Sequence, residues 1–266
     1  MSLILTDKPA PHIRQVVLNR PDRLNAMTSE LVGALRLELE AAARDRGCRA
    51  IVLSAAGSAF CAGLDLHGYR PDAAEETTDL ARERFADQEE MSRLILSIRE
   101  IPQPVIVAVN GPAAGFGFAL ALACDIRLAA TTALFRAAFI NIGVSNCDMG
   151  TSWLLPRLIG AARAHEIMLT ARRVDAEEAE RIGLVSAVLP DDQLLDRAIE
   201  TAAQIAELSP LGVRMTKRTM WTALELPSER AAVELEDRQQ ILATFGPDMP
   251  EAVDAFLTKR TARFQD

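Results

Sequence analysis

The chain has 266 residues, of which 49% are hydrophobic and 25% are charged, and its formal net charge at pH 7 is −8. This composition is typical of a globular protein, and the length suits one large domain with an appendage. The acidic balance argues against nucleic-acid binding as the main task. Because the sequence shows neither a secretory signal nor a long charge-free apolar stretch, we expect a cytoplasmic protein with no membrane span.

The four cysteines have no C-x-x-C spacing, and the three histidines form no cluster with the spacing of metal ligands. Two of the cysteines lie in stretches of apolar or small residues. We therefore expect reduced thiols and no metal site.

The first part of the chain alternates between strand and helix patterns. In chain order, it predicts a strand over 13–19, a helix over 28–47, a strand over 50–54 and a helix over 79–99. Strand–helix–strand order implies parallel pairing of the strands. The polar, acidic residues 67–83 predict a loop or a fraying helix start.

The stretch 105–130, VIVAVNGPAAGFGFALALACDIRLAA, is the centre of the chain. It predicts a buried strand over 105–109, a turn of small residues, a buried helix over 118–124 and a second strand over 126–130. A glycine turn that opens a helix leaves backbone N–H groups unpaired at the positive end of the helix dipole. Such a turn can hold an anion, although a packing turn without a ligand is an equal alternative. The spacing does not match the dinucleotide fingerprint G-x-G-x-x-G.

The second part of the chain changes from mixed to all-helical patterns near residue 191. Its predicted elements are helices over 153–160, 161–169 and 175–183, a strand over 184–189, and helices over 193–208, 210–224, 228–244 and 250–264. We therefore predict a mixed α/β core over residues 1–190 and a helical region over residues 191–266.

Two glycine turns share one feature, because each follows a strand pattern and opens a helix pattern. The first glycine turn is residues 58–66, SAFCAGLDL, and the second is residues 110–117, NGPAAGFG. If the two turns converge in space, two peptide N–H groups can point at one oxygen atom. That arrangement is an oxyanion hole.

At this point the sequence resembles the crotonase superfamily, the enoyl-CoA hydratase/isomerase family. The resemblance covers nearly the whole chain and is carried by several motifs in the same order. These motifs are LNRPDRLNAM, AFCAGLDL, PVIVAVNGPAAGFGFALALACDIRLA, GTSWLLPRLIG, LTARRVDAEEAERIGLVSAVLP and KRTARF. The resemblance implies an α/β fold, a spiral of β-β-α turns with a helical C-terminal region that builds homotrimers, often paired as hexamers.

The resemblance also implies a ligand, an acyl-CoA thioester whose carbonyl oxygen meets both glycine turns. Matched by position, the two catalytic donors are the backbone N–H groups of Leu64 and Phe116. CoA is then part of the substrate, and no separate cofactor is expected. The CoA contacts of the family map onto Arg23, Leu24, Ala62, Leu66 and Lys259. For the two basic residues, an exposed surface cation is an equal alternative.

The sequence departs from the family at both positions where hydratases carry a catalytic glutamate, since Ala119 and Phe139 stand there and neither transfers protons. Asp148 resembles the aspartate that dienoyl-CoA isomerases use as a base, and it is our candidate for proton transfer. Its alternative role is to cap the helix that begins near residue 150. Asp65 fits a helix cap and His67 an exposed loop position.

We therefore expect an enzyme of fatty acid metabolism that acts on an acyl-CoA thioester. Its reaction is expected to pass through an enolate that the oxyanion hole stabilises. Hydration by a lyase and double-bond isomerisation both fit this expectation. Three alternatives remain open, namely an acyl-CoA-binding protein without turnover, thioester hydrolysis and decarboxylation.

Overall fold

The structure, a computed structural model, describes residues 2–68 and 78–265. Its strands are β1 (Ile4–Asp7), β2 (Ile13–Leu18), β3 (Ala50–Ala55), β4 (Val105–Val109), β5 (Pro112–Ala114), β6 (Ile126–Ala130), β7 (Leu134–Arg136), β8 (Val174–Asp175) and β9 (Ala187–Leu189). Its α-helices are α1 (Ser29–Arg44), α2 (Thr78–Glu100), α3 (Phe116–Ala123), α4 (Thr151–Ile159), α5 (Ala161–Thr170), α6 (Ala176–Arg181), α7 (Leu194–Ala206), α8 (Pro210–Ala223), α9 (Glu229–Thr244) and α10 (Asp248–Thr258).

The large sheet has the strand order β1-β2-β3-β4-β6-β9 and carries the core on both faces. All neighbours pair in parallel except β1, which runs antiparallel to β2. Ile106 and Ala108 of β4 belong to the cluster under α7, whereas Val105, Val107 and Val109 belong to the main core on the other face. Burial on both faces explains why β4 reads as a continuous apolar run.

A small sheet, β5-β7-β8, lies beside the large one, and its strand pairing indicates that the chain winds as a spiral. β5 pairs in parallel with β7, and isolated parallel bridges extend the pattern through Cys61–Ala113 and Met27–Leu64. Each turn of the chain thus contributes one segment to the large sheet and a shorter one beside it. The predicted α/β spiral of β-β-α turns is confirmed, although the sequence did not predict β1, β5, β7 or β8.

The predicted helices are present, and two of their boundaries are instructive. Thr28 caps α1, because its hydroxyl accepts a hydrogen bond from Leu31 N at 3.3 Å. The last helix was expected to continue to residue 264, but α10 ends at Thr258. There Lys259 adopts a left-handed conformation with φ 54°, and Arg260 N donates to Ala255 O at 3.0 Å, which closes the helix.

The C-terminal helices differ in how they attach to the core. α7 packs on the large sheet through Leu194, Ala198 and Ala202. α8 is held by the buried Lys217, whose ammonium donates at 2.8 Å to Ile98 O and to Gln103 O. α9 has no buried residue. The expected boundary near residue 191, with an oligomerisation role for residues 191–266, stays a prediction.

The expected loop over residues 67–83 falls largely on residues 69–77, which lie outside the described residues. Residues on either side of that gap belong to a short 3-10 helix, Leu66–Gly68, and to α2. Across the described part of the chain, no helix has the length and apolarity needed to cross a membrane.

Candidate active site

The two glycine turns meet in space, as the oxyanion hypothesis requires. Cys61 N donates to Pro112 O at 3.1 Å, and Ala114 N donates to Cys61 O at 2.9 Å. The approach is so close that a Cβ added to Gly115 would lie 3.8 Å from the Cα of Gly63. The backbone that precedes Leu64 therefore touches the backbone that precedes Phe116.

Glycine is needed at three positions of this contact. Gly63 has φ +111° and Gly115 has φ +50°, conformations that residues with a Cβ rarely adopt. Gly117 is needed for space instead, because a Cβ there would lie 2.3 Å from the carbonyl oxygen of Cys61. The first turn of α3 can rest on the first glycine turn only because this side chain is absent.

The Leu64 and Phe116 amides, which we call the amide pair, are suitably placed to receive negative charge. Phe116 is the first residue of α3 and is completely buried. Within residues 2–68 and 78–265, neither N–H of the amide pair donates a hydrogen bond to a protein acceptor. Unpaired donors at a helix N-terminus stabilise an oxygen on which charge develops during a reaction.

A cavity of 360 Å³ opens beside Leu64. Its wall is formed by the loop before α1, the first glycine turn and one face of α2, and it includes Met27, Thr28, Leu64, Asp65, Gln88 and Met91. The cavity therefore adjoins both the first glycine turn, through Leu64, and α2, through Gln88.

Asp148 lies in the loop before α4, residues 143–150, which we call the Asp148 loop. Its Oδ1 accepts hydrogen bonds from Gln88 Nε2 at 2.6 Å and from Met149 N at 2.7 Å. Half-burial raises the pKa of the Asp148 carboxyl, and these two hydrogen bonds oppose that rise. A raised pKa suits a group that must take up and release a proton.

The alternative that Asp148 caps α4 is wrong for its side chain. The N-cap residue of α4 is Gly150, which provides no side-chain hydrogen bond. Asp148 contributes to this turn through its backbone, since Thr151 N donates to Asp148 O at 2.9 Å. The carboxylate therefore makes no capping hydrogen bond to α4, and it accepts a hydrogen bond from Gln88 of α2 instead.

Ala119 and Phe139 both lie in the interior near the second glycine turn. Ala119 is completely buried one turn into α3, and Phe139 is 7% exposed. A Cβ on Gly115 would lie 3.5 Å from the Phe139 ring, so the ring packs beside the amide pair. An apolar ring and a methyl group therefore occupy the positions at which the resemblance would place carboxylates.

Four of the five predicted CoA contacts lie in neighbouring segments at the surface. Arg23, Leu24, Ala62 and Leu66 are all exposed, and Ala62 N donates to Leu24 O at 3.0 Å. Lys259 is exposed at the end of α10, and within residues 2–68 and 78–265 no hydrogen bond or ion pair joins it to the other four. His67 is exposed in the short 3-10 helix Leu66–Gly68, and it also lines the cavity beside Leu64.

Three residues that sequence reasoning left out or undervalued hold these segments together. Asn25 is completely buried, and its Nδ2 donates to Ala56 O at 2.8 Å and to Ala59 O at 2.9 Å. Arg20 pairs with Asp65 at 2.9 Å, which lowers the pKa of the Asp65 carboxyl to about 2. The polar motif LNRPDRLNAM contained this signal, but the partners lie 31 to 45 residues further along the chain.

Cys61, the cysteine of the first glycine turn, does not supply a nucleophile. Cys48, Cys61, Cys124 and Cys147 are all free thiols, as expected. Cys61 lies in the first glycine turn, where complete burial raises the pKa of its thiol to about 12. The thiol is therefore protonated at neutral pH, and thiolates rather than thiols are the reactive form.

Comparisons with known proteins show the family to which the chain belongs. The enoyl-CoA hydratase/isomerase family model matches residues 10–266. The Mycobacterium bovis protein named "Probable enoyl-CoA hydratase echA12" is 43% identical over 100% of this chain and 94% of its own length. The 1,2-epoxyphenylacetyl-CoA isomerase of Escherichia coli is 37% identical over 95% of this chain and 94% of its own.

A solved structure supports the same assignment at the level of the fold. The crystal structure of a probable enoyl-CoA hydratase/isomerase from Mycobacterium abscessus superimposes with a TM-score of 0.90. It is 41% identical in sequence, and the match covers 99% of each chain. With the family model, close relatives and fold in agreement, the chain belongs to the enoyl-CoA hydratase/isomerase family, within the crotonase superfamily.

Proposed function

We propose that this protein isomerises the double bond of an acyl-CoA thioester, with the amide pair as the oxyanion hole and Asp148 as the acid and base. The observation that carries the proposal is the contact between Gly63 and Gly115, the residues that directly precede Leu64 and Phe116. Within residues 2–68 and 78–265, neither of these two backbone N–H groups has a protein acceptor. Removing one such donor in an enzyme typically costs about 3–4 kcal/mol of transition-state stabilisation.

In the proposed reaction, the Asp148 carboxylate takes a proton from a carbon atom of the acyl chain that is acidified by the thioester. The electron pair of that C–H bond moves through the carbon chain onto the carbonyl oxygen and gives an enolate, to which the amide pair donates. The protonated Asp148 then returns the proton to a different carbon atom, and the electron pair of the enolate re-forms the carbonyl. The double bond has moved, and enzyme and proton count are unchanged.

Because Asp148 is the one group that we propose for proton transfer, isomerisation is the first choice. One group can both remove and return the proton, whereas hydration also requires a water molecule to be held and activated. The interior beside the amide pair is apolar here, with Phe139 packed against Gly115 and Ala119 behind it. The E. coli relative, which is named an isomerase, is consistent with this choice.

Hydration is the second candidate, because the M. bovis relative is named an enoyl-CoA hydratase. In that case Asp148 would take a proton from water as the oxygen adds to the enoyl chain, and would then protonate the α-carbon. Both reactions pass through an enolate at the amide pair, so the site described above serves either.

The CoA part of the substrate is proposed to lie over Arg23, Leu24, Ala62 and Leu66, which flank the entrance to the first glycine turn. Arg23 adds a positive charge for phosphate groups. Lys259 lies apart from them in one subunit, so we propose that it contacts CoA from a neighbouring subunit. Arg23→Ala and Lys259→Ala are expected to raise KM for a CoA thioester and to leave kcat unchanged.

We also propose that the protein is a homotrimer or a hexamer in solution. Large apolar side chains are strongly exposed on its C-terminal helices, including Ile241 at 60%, Phe245 at 83% and Phe256 at 83%. Monomeric proteins rarely expose contiguous apolar area on this scale. Sedimentation analysis of the full chain tests this directly, and Phe256→Asp is expected to weaken the assembly.

The experiment that tests the function is a screen of 2-enoyl-, 3-enoyl-, dienoyl- and malonyl-type CoA thioesters in deuterated water, read by chromatography with mass spectrometry. Isomerisation gives a chromatographically distinct product of the same skeleton, which gains deuterium only as far as the proton on Asp148 exchanges with solvent, whereas hydration adds one molecule of D2O. Release of free CoA would indicate thioester hydrolysis, and loss of carbon dioxide from a malonyl-type thioester would indicate decarboxylation. If CoA thioesters bind and none is turned over, the proposal is wrong and the protein is an acyl-CoA-binding member of its family.

A further inference from the structure

We propose that Gln88 is a positioning residue that holds the Asp148 carboxylate in its working orientation, with Oδ1 occupied and Oδ2 presented to the substrate. This inference rests on the proposed function, since it assigns Asp148 the proton transfer. It adds a residue from α2 that neither the sequence motifs nor the family resemblance pointed to.

The hydrogen bonds of Asp148 are distributed unequally between its two oxygens. Gln88 Nε2 and Met149 N both donate to Oδ1, at 2.6 and 2.7 Å. Within residues 2–68 and 78–265, no donor reaches Oδ2. A carboxylate bound in this way has one oxygen fixed and one available to accept a proton.

The backbone around Asp148 is fixed independently of Gln88. Thr151 is 1% exposed and its hydroxyl donates to Asn146 O at 2.9 Å. Asn146 is 5% exposed, and its side chain bonds Ile140 N at 3.0 Å and Met168 O at 2.6 Å. These buried groups hold the main chain around Asp148, so its remaining freedom is rotation of the side chain. The hydrogen bond from Gln88 on α2 restricts that rotation.

The position of Gln88 connects both halves of the site. Its side chain lines the 360 Å³ cavity that also includes Leu64 of the amide pair. One face of α2 therefore borders the cavity beside Leu64, and Gln88 on the same helix donates a hydrogen bond to Asp148. The bond spans 60 residues of sequence and joins two elements that no strand pairing connects.

The charge on Asp148 should respond to this contact in a defined direction. A neutral amide donor stabilises the carboxylate over the carboxylic acid. Because the hydrogen bond from Gln88 lowers the pKa of Asp148 against the effect of burial, its removal should raise that pKa further. The acid limb of the pH profile of kcat/KM should then move to higher pH.

The test compares Gln88→Leu and Gln88→Asn with Glu89→Gln, a neighbouring exposed position on α2, and with Asp148→Asn. In Gln88→Leu we expect kcat to fall about tenfold to hundredfold as the carboxyl group loses its orientation, with KM little changed. We also expect the acid limb to move to higher pH. Gln88→Asn keeps the amide but is one methylene too short, so it should resemble the leucine variant, whereas Glu89→Gln should resemble the parent.

A carboxyl carbon NMR titration gives a readout that needs no substrate, with Asp148→Asn used to assign the signal. The signal should titrate at higher pH in Gln88→Leu than in the parent. If both the titration and the pH profile of Gln88→Leu match those of the parent while Asp148→Asn is inactive, the role of Gln88 is refuted and the proposed function stands. If Asp148→Asn retains full activity, the role of Asp148 in the proposed function itself is refuted.

Discussion

The two halves of the site are built in contrasting ways. The amide pair belongs to the interior, where Phe116 is completely buried and glycines bring backbone within contact distance of backbone. Asp148 belongs to a surface loop, where most neighbouring side chains are exposed and one amide side chain from α2 reaches its carboxylate. Charge stabilisation needs donors that do not move during the reaction, and close packing provides them.

The contrast suggests a division of tasks. Under the proposed function, the rigid half sets which functional group is recognised, because a thioester would bring its carbonyl oxygen to Leu64 N and Phe116 N. The loop half would set what happens to the acyl chain, because the position of Asp148 would determine which carbon loses and regains a proton. Substitutions in the two halves should therefore alter different properties, namely turnover in the loop half and both stability and activity in the rigid half. The following predictions use that difference.

The largest effect is expected at the loop half. Asp148→Asn should lower kcat about 10²- to 10⁴-fold, since general acid–base groups contribute factors of this size, while stability and binding of a CoA thioester change little. Turnover of the substrate found in the screen and its dissociation constant measure the two effects. Asp192→Asn, at an exposed position before α7, is the control and should be silent. A large loss of binding in Asp148→Asn would contradict the division of tasks.

A combined loss is expected at the rigid half. In Gly117→Ala the new Cβ would lie 2.3 Å from Cys61 O and 2.6 Å from Cys61 Cβ, so the two glycine turns must separate. We expect a loss of about 1–3 kcal/mol in the free energy of unfolding and about hundredfold in kcat/KM. Urea unfolding and steady-state kinetics provide the measurements.

The matched control for that variant is Gly33→Ala in α1, where an added Cβ meets no atom within 4 Å. This change should increase stability by up to about 1 kcal/mol, because alanine favours the helix, and should leave activity unchanged. Equal behaviour of the two alanine variants would show that the close contact at Gly117 is not what sets the amide pair.

A smaller effect, mainly on stability and KM, is expected where the rigid half meets the proposed CoA surface. Asn25→Ala leaves the carbonyls of Ala56 and Ala59 without their donor and places alanine at φ 54°. We expect a loss of about 1–3 kcal/mol in unfolding free energy and a raised KM. Asn25→Gly removes the same hydrogen bonds without the backbone strain. Urea unfolding should therefore show a smaller loss of unfolding free energy for Asn25→Gly than for Asn25→Ala.

The smallest effect is expected from the ion pair of the first glycine turn, and it depends on pH. The pKa of Asp65, lowered to about 2 by Arg20, lies below that of an unfolded aspartate near about 3.9. Its stabilisation is therefore present above the unfolded value and is lost as the pH falls toward 2. The stability difference between the parent and Asp65→Asn should be constant from pH 7 to 5 and should narrow below pH 4. A difference that does not vary with pH would show that the ion pair contributes nothing.

The sequence predicted the rigid half better than the loop half, for physical reasons. The run VIVAV, the strand-breaking turn and the apolar helix after it are local patterns, and β4, the second glycine turn and α3 follow them closely. The capping of α1 by Thr28 is equally local. The contact between the two turns could be predicted only with the help of the family resemblance, because Gly63 and Gly115 are far apart in the chain.

What could not be predicted depends on short elements and distant side chains. β5 and β7 have three residues each, which is too few to show a period of two. The bond between Gln88 and Asp148 has no local signal, because a glutamine on a polar helix face is ordinary until the opposite loop is known. The position of Asp148 before a helix favoured a cap, but the αL conformation of Gly150 assigned that place to glycine.

The bridge between Cys61 and Ala113 has a consequence for how such a protein can change over time. It holds the two glycine turns together by the ladder of a sheet, and the proposed donors are main-chain groups that only a substitution to proline can delete. If the proposed function is right, most side chains of the pocket can therefore vary while the hydrogen bonds to the carbonyl oxygen are kept. New chemistry on the same class of ester can arise here by altering a loop, without rebuilding the anchor.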